Sequence, residues 1–444
     1  MQSKRENRQG RLVLLPPIED FVPSEHRLRR LHGVLDLSFV HEAVRDKYCQ
    51  DNGRPSVDPE VLLRLFLLQA IEGIGQVREL MRQVQVNLAY RWFIGYELDE
   101  ELPDHSTLSK ALDRFGDEIF NELFARSIEQ CRQSGLIEGK VLHVDATTIR
   151  ADLDANRVNK ADSSDKDARF GRFPGGQTKP GYKQQTMVDG RKRVVVGVSV
   201  TPANLADDSK MCEMIDDSIV RLKQVPEAVC GDAAYGSGKN RAELTERGIR
   251  LVSPPPRAKT YTGEEQFTTE DFIYDESRDE FVCPAGKRLK YVGKETERRH
   301  RRKYAALRSE CEVCAWKSCC TRGSRRELKV GVHHSALIEL RADSRTESFR
   351  ALYRRRAPVI EGVFAEAKQW HGLQRAWRRG LRKMQVQSLL VASVLNFKRL
   401  TAHLMPNYGF PQTLRTTLNT IRENLQVIRQ FVHSVLKLNN LQMA

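Results

Sequence analysis

The 444-residue chain has no apolar run long enough to span a bilayer. Stretches such as Leu389–Leu395 fall far short of the ~18–20 residues a spanning helix needs. No apolar segment backs the polar start Met1–Arg8, which argues against export. No internal repeat is detectable. Negative charge is the scarcer sign: 58 Asp+Glu face 73 Lys+Arg, leaving +15 at pH 7 and a pI of about 9.4. These shortages predict a soluble cytoplasmic protein with a polyanionic partner; the plainer alternative is basic surface kept for solubility. Apolar residues still make up 40% of the chain, which excludes wholesale disorder. At roughly 150 residues per domain, about three units are expected.

The positive charge is concentrated. Ten Lys/Arg lie between Lys287 and Arg308 against Glu295 and Glu297, and ten more between Arg350 and Lys383 against Glu361 and Glu366. Blocks this dense repel each other unless neutralised, and phosphate is the usual partner. One such run could be a solvated loop; two favour nucleic acid. In the first run Arg298, Arg299, Arg301 and Arg302 are the candidate phosphate contacts.

Residues 1–56 are polar and weakly patterned, punctuated by Pro16, Pro17 and Pro23. From Val57 the pattern turns helical: Asp58-Pro59 reads as an N-cap with Pro at N1, and Val61, Leu62, Leu65, Leu68 and Ile71 recur at helical spacing. Further helices are predicted over Val77–Val84, Asn87–Phe93 and Ser106–Phe115, the last capped from the Asp104 region. A helical, DNA-binding domain over 57–130 follows, although a plain bundle has the same texture. From Lys140 strands and helices alternate, as in an α/β sheet domain. Strands are predicted at Val141–Asp145, Arg193–Val200, Val229–Asp232 and Ile249–Ser253, and helices at Asp207–Leu222 and Asn240–Arg247. The segment Asp162–Gly181 reads as a loop too polar to pack a core. The alternation breaks over 257–335 and resumes with a helix from Thr346 to Trp370, closed by His371-Gly372. Pro358 there is either a first-turn residue or a kink. An amphipathic helix over Met384–His403 ends the pattern.

Five of the nine cysteines fall within Cys283–Cys320. Cys311-x-x-Cys314 has the spacing with which two thiolates share a tetrahedral ion. Cys283 and Cys320 would complete a four-sulfur site, with Cys319 the competing fourth ligand. Structural Zn²⁺ is the expected metal, anchoring an insertion poor in apolar residues. Idle thiols are the alternative, and an odd cysteine count in a cytosolic chain makes disulfides the weaker reading.

Acidic side chains on buried strands are costly unless paired or metal-bound. Asp145 follows Val141–Val144, and Asp232 ends the strand Val229–Gly231. Each alone could be a strand-end turn cap. Glu361, on the basic helix, could simply pair with a nearby Arg. Glu361 and Lys368 lie seven apart and so differ by only about 20° around the helix. Glu366 lies about 140° from Glu361 and leaves that face. Two strand aspartates, a helix glutamate and adjacent cations suit a two-metal phosphoryl-transfer site.

These segments together resemble a DDE transposase of a bacterial insertion sequence. They are His143–Ile149 around Asp145, Gly231–Gly236 around Asp232, and Tyr353–Lys368 around Glu361. Thr201–Asn204, Asp104–Leu108 and the Cys283/Cys311/Cys314/Cys320 set also resemble family features, the cysteines marking a branch with an insertion before its Glu. The resemblance covers about 50–400. It implies an α/β, ribonuclease H-like catalytic domain over 138–405, preceded by the helical domain and interrupted at 257–335 by a small zinc-ribbon-like insertion. It also implies Mg²⁺-dependent cleavage and strand transfer at the element's ends. Asp145, Asp232 and Glu361 would then hold two Mg²⁺ ions, and Lys368, Arg356 and Arg354 would meet DNA. The expected partners are double-stranded DNA with terminal inverted repeats and further copies of the chain, as a homodimer or higher on DNA, at the bacterial nucleoid. In the related Tyr-x-x-Arg-x-x-x-Glu signature three residues separate Arg and Glu; here four separate Arg356 from Glu361. A nuclease that cuts without joining needs the same acids, whereas a non-catalytic DNA-binding regulator would not. Over 411–444, Leu414, Leu418, Ile421, Leu425, Ile428, Val432 and Val435 form a heptad seam, for another subunit or for the chain's own domain.

Overall fold

A computed structural model describes residues 16–48, 56–158, 163–256, 267–294 and 301–405. The heptad seam of 411–444 and the arginines Arg298 and Arg299 lie outside the described residues. Seven helices come first: α1 (Arg27–His32), α2 (Val40–Val44), α3 (Pro59–Glu72), α4 (Val77–Val86), α5 (Leu88–Ile94), α6 (His105–Phe115) and α7 (Glu118–Gln133). Asp58 caps α3 by accepting from the Glu60 amide at 2.7 Å, and Pro59 opens its first turn. Asp104 caps α6 through the Ser106 amide at 2.8 Å. The weakly patterned start still contributes: Leu28, Leu31, Val40 and Val44 are buried in the same core as α3.

The central sheet contains β1 (Val141–Arg150), β2 (Arg169–Arg172), β3 (Thr178–Asp189), β4 (Val195–Pro202), β5 (Ala228–Cys230) and β6 (Arg250–Val252). β3 lies antiparallel to β1 on one side and pairs with β2 and β4 on the other. β1, β5 and β6 run parallel. α8 (Met211–Leu222) and α9 (Gly238–Glu246) form the crossovers. The stretch 162–181 is therefore not simply a loop. It holds β2 and the start of β3, and Asp165 is buried, accepting a 2.5 Å hydrogen bond from the Tyr182 hydroxyl. Inside β3, buried Gln184 and Gln185 find Thr186 and Ser209 as partners, so a polar sequence forms an inner strand.

The 257–335 region folds as a second sheet of β7 (Ile273–Asp275), β8 (Glu280–Val282), β9 (Arg288–Lys294), β10 (Arg301–Ala305) and β11 (Glu327–Gly331), in the order β11-β10-β9-β8-β7. Two short helices, α10 (Arg308–Glu312) and α11 (Lys317–Cys320), lie between β10 and β11. This unit has an apolar core of its own, built on Phe272, Phe281, Leu289, Tyr304, Leu328 and Val330. Few apolar residues suffice for it because alternate residues of adjacent strands meet on one face.

The chain returns through α12 (His334–Ser344), α13 (Glu347–Arg354), α14 (Arg356–Trp370) and α15 (Leu381–Leu404). The single helix predicted from Thr346 divides at Arg355, and Pro358 falls in the first turn of α14. α15 is buried around most of its circumference rather than amphipathic, because it lies between the helical layer and β4. Its side chains hold the sheet edge: the Asn396 amide spans the Val195 N–H and C=O, both at 2.8 Å. Gln385 does the same for the Val200 N–H and the Val198 C=O. Among the described residues no helix is long and apolar enough to cross a membrane.

Candidate active site

Parallel pairing of β1 and β5 aligns His143 with Cys230. Two residues further along each chain stand Asp145 and Asp232, so strand register alone brings these carboxylates to neighbouring positions. Asp232 caps the turn after β5, accepting from the Ala234 amide at 3.0 Å. Its backbone carbonyl is held by the Ser253 hydroxyl. Asp145 accepts from the Ala146 amide at 2.8 Å and from the Arg356 guanidinium at 2.9 Å. Burial lifts the Asp145 carboxyl above the usual range; the Ala146 amide and Arg356 counter it, and the charge on Asp232 adds to it. The buried Tyr235 hydroxyl, without a hydrogen-bond partner among the described residues, is pushed far up by burial and then by Asp145, Asp207, Asp232 and Asp208. Four carboxylates thus act on one hydroxyl at this end of the sheet, with Asp207 paired to Lys183 and Asp208 accepting from Asn240. Asp207 and Asp208 were not singled out from sequence, because they precede α8 in an unremarkable polar turn.

α14 presents Ile360, Val363 and Ala367 as its buried side. At about 100° per residue, Glu361 is carried off that face. It is exposed and has neither hydrogen bond nor ion pair among the described residues. No group of three or more His, Cys, Asp or Glu side chains among the described residues is arranged to hold a metal ion. The structure therefore unites Asp145 with Asp232 and leaves Glu361 apart. Glu366 points elsewhere, as helix geometry predicts: it pairs with Lys398 and Arg399 of α15, each at 2.5 Å. Lys368, on the Glu361 side, is half-buried, and burial lowers its pKa. It lines a cleft of about 700 Å³ between the α3–α4 turn and residues 369–377. Gly73 and Gly372, both at positive φ, meet at the end of this cleft: a Cβ on Gly73 would come 2.8 Å from the Trp370 carbonyl, and one on Gly372 would come 2.9 Å from the Gly73 carbonyl.

The basic candidates differ in how available they are. Arg354 is mostly exposed and pairs with Glu347 at 2.5 Å. Arg301 is exposed on β10. Arg302 is engaged by Asp279 at 3.0 Å and stacks over Tyr291, which makes it part of the second sheet's scaffold. The β3–β4 turn adds Arg191, Lys192 and Arg193, all exposed. Arg193 holds a left-handed backbone (φ 58°), and a Cβ on Gly362 would lie 3.0 Å from its guanidinium, so glycine beside Glu361 gives that arginine room. Spacing alone offered no signal for this contact.

Cys283, Cys311, Cys314 and Cys320 line one cavity of about 30 Å³, whereas Cys319 is exposed. The Lys287 amide points at the Cys283 sulfur from 3.3 Å. Burial raises the Cys320 thiol; Arg326 opposes this, and Cys283, Cys311 and Cys314 add to it. The four sulfurs thus share one small cavity, with an amide directed at one of them.

Two family models match the chain: a transposase domain (DUF772) over residues 16–114 and a transposase DDE domain over residues 282–401. The second includes Glu361 but neither strand aspartate. Both matches are to transposase domains, one of them of the DDE type, and together they cover residues 16–114 and 282–401 of this chain. Among solved structures it is similar to the piggyBac transposase synaptic complex with hairpin DNA, at 9% identity and TM-score 0.33, over 87% of this chain and 81% of that one. It is also similar to a pre-cleavage Mos1 transpososome, at 13% identity and TM-score 0.17, over 46% of this chain and 61% of that one. A Mos1 mariner paired-end complex with Mn matches at 12% identity and TM-score 0.16, over 51% and 65%. No curated protein matches the chain.

Proposed function

We propose that the chain cuts DNA at the ends of an insertion sequence and joins those ends to a target, using Asp145, Asp232 and Glu361 as its catalytic carboxylates. The observation that carries this reading is the placement of Asp145, midway along β1, and Asp232, just past the end of the adjacent parallel strand β5, each two residues beyond the paired His143 and Cys230, with the helix bearing Glu361 tied to Asp145 through Arg356. The order β4-β3-β1-β5-β6, with only β3 antiparallel to its neighbours, supports a ribonuclease H-like core over 138–405. Mg²⁺, held by these acids, would activate the attacking oxygen and stabilise the leaving one. Lys368 would hold a phosphate beside them, and Arg354 and Arg301 would contact the backbone further out, with Arg298 and Arg299 beyond the described residues. The helical domain over 57–130 would bind the terminal repeats, and copies of the chain would assemble on DNA in the bacterial cytoplasm. The cysteine-lined insertion over 257–335 would hold Zn²⁺ through Cys283, Cys311, Cys314 and Cys320.

The test is a cleavage and joining assay on DNA carrying the repeats that flank the reading frame. Asp145→Asn, Asp232→Asn and Glu361→Gln should each lower both steps at least about 10³-fold, while end binding stays equal or tightens. Near-normal cleavage by Glu361→Gln would remove it from the site. Cleavage without any joined product in the unaltered chain would instead favour a nuclease.

A further inference from the structure

Arg356 and Asp145 form an ion pair at the point where a cation would bind. The contact is 2.9 Å, and the two side chains keep only 12% and 20% of their exposure. A pair this withdrawn from water is screened far less than a surface salt bridge. Arg356 is held from its own side as well, with its guanidinium 5.9 Å from the centre of the Tyr353 ring. The charge of Asp232 also acts on Arg356 at longer range. A metal ion and a guanidinium cannot share the same carboxylate oxygens. Yet Arg356 is in the first turn of α14, five residues before Glu361, the third acid, which is exposed in this state.

We propose that Arg356 is a positioning residue that occupies the cation site in the DNA-free chain and vacates it for a DNA phosphate, so that metal binding at Asp145 and Asp232 is gated by DNA. Guanidinium pairs with phosphate bidentately and at least as well as with carboxylate, so an arriving backbone supplies an alternative partner. Removal of the guanidinium leaves two adjacent carboxylates uncompensated, which raises their affinity for a divalent ion. The first turn of α14, relieved of its tie to β1, is then free to bring Glu361 nearer. This rests on the assignment of Asp145 and Asp232 as metal ligands made above.

The experiment is Mn²⁺ titration of the full chain, followed by the electron paramagnetic resonance signal of free Mn²⁺, with and without a mixed-sequence duplex whose own Mn²⁺ uptake is subtracted. Without DNA, Arg356→Gln should bind Mn²⁺ about tenfold or more tighter than the unaltered chain, the equivalent of one lost charge-assisted hydrogen bond. Duplex should tighten Mn²⁺ binding in the unaltered chain and have little effect in Arg356→Gln. Arg356→Lys, which keeps the charge, should stay within about threefold of the unaltered chain. If Arg356→Gln gains no affinity while Asp145→Asn still loses it, the gate is wrong and the carboxylate assignment stands. If neither Asp145→Asn nor Asp232→Asn alters Mn²⁺ binding, the assignment fails, and the gate with it. Should Arg356→Gln lose its cooperative melting transition, the unaltered chain decides: Mn²⁺ affinity indifferent to duplex overturns the proposal.

Discussion

Glu361 and Glu366 sit five residues apart on α14 in opposite surroundings. Glu366 is largely buried; burial alone would raise its pKa, but hydrogen bonds from Arg399 and Lys398 prevail and hold it at about 2. His371 lies against the same cluster. Its Nδ1 meets the Ala70 carbonyl at 2.9 Å and its Nε2 meets Lys398 Nζ at 3.0 Å. In the neutral ring Nδ1 donates and Nε2 accepts from the ammonium, so a second proton would oppose Lys398. Burial and then Lys398 hold His371 down to about 4, and burial places His334 there too. A depressed folded-state pKa means that the unfolded chain takes up the proton first. The stability these histidines contribute is therefore full above about pH 6.5 and lost as pH falls toward 4, by up to about 3 kcal/mol each. The melting temperature should fall across that window, and His371→Asn should flatten the fall. A melting temperature constant between pH 7 and pH 5 would contradict the placement of His371. Below about pH 4.5 the Glu366 contribution erodes in turn.

At the level of elements, the second sheet is the clearest case of a unit whose cysteine grouping was legible before its shape. The Cys311-x-x-Cys314 spacing and the neighbouring Cys283 and Cys320 identify a thiol site, and the structure gathers those four around one cavity while leaving Cys319 outside. The five strands were not legible, because segments of three to seven residues, such as Ile273–Asp275 and Glu280–Val282, are too short to establish a period. We expect purified protein to contain about one Zn²⁺ per chain, the stoichiometry of a four-sulfur site. Cys314→Ser should release it and raise protease sensitivity within 267–335. The core formed by Phe281, Tyr304 and Leu328 should keep the sheet compact, and Cys319→Ser should do nothing. Metal analysis finding no zinc in protein prepared without chelator would refute the site.

Across the whole molecule one hydrophobic core runs from α1 through the central sheet to α15, so the helical layer and the sheet do not pack as separate bodies. Asn396 is the polar hub of that junction. It is fully buried and binds both backbone groups of Val195, while its Nδ2 donates to Ser127 of α7 at 3.1 Å. Replacing Asn396 with Leu strands a buried N–H and C=O, at a cost of about 2–4 kcal/mol. Thermal melts followed by far-ultraviolet and near-ultraviolet circular dichroism should shift together. A loss confined to one probe would show that the two layers unfold independently.

The amino-acid sequence by itself determined the helices between 59 and 115, the strand carrying Asp145 and the one that ends just before Asp232, the face of α14 from which Glu366 is excluded, and the grouping of four cysteines. Each depends on spacing within one segment, where backbone periodicity and capping chemistry act locally. Only tertiary structure decided that the polar segment Thr178–Asp189 is an inner strand, because that rests on its pairing with β1 on one side and with β2 and β4 on the other. The same holds for α15, whose amides serve a sheet edge nearly 200 residues away in sequence, and for Arg356, which meets Asp145 across 211 residues. A side chain's charge is written in the sequence, but its partner is chosen by whichever element packs against it.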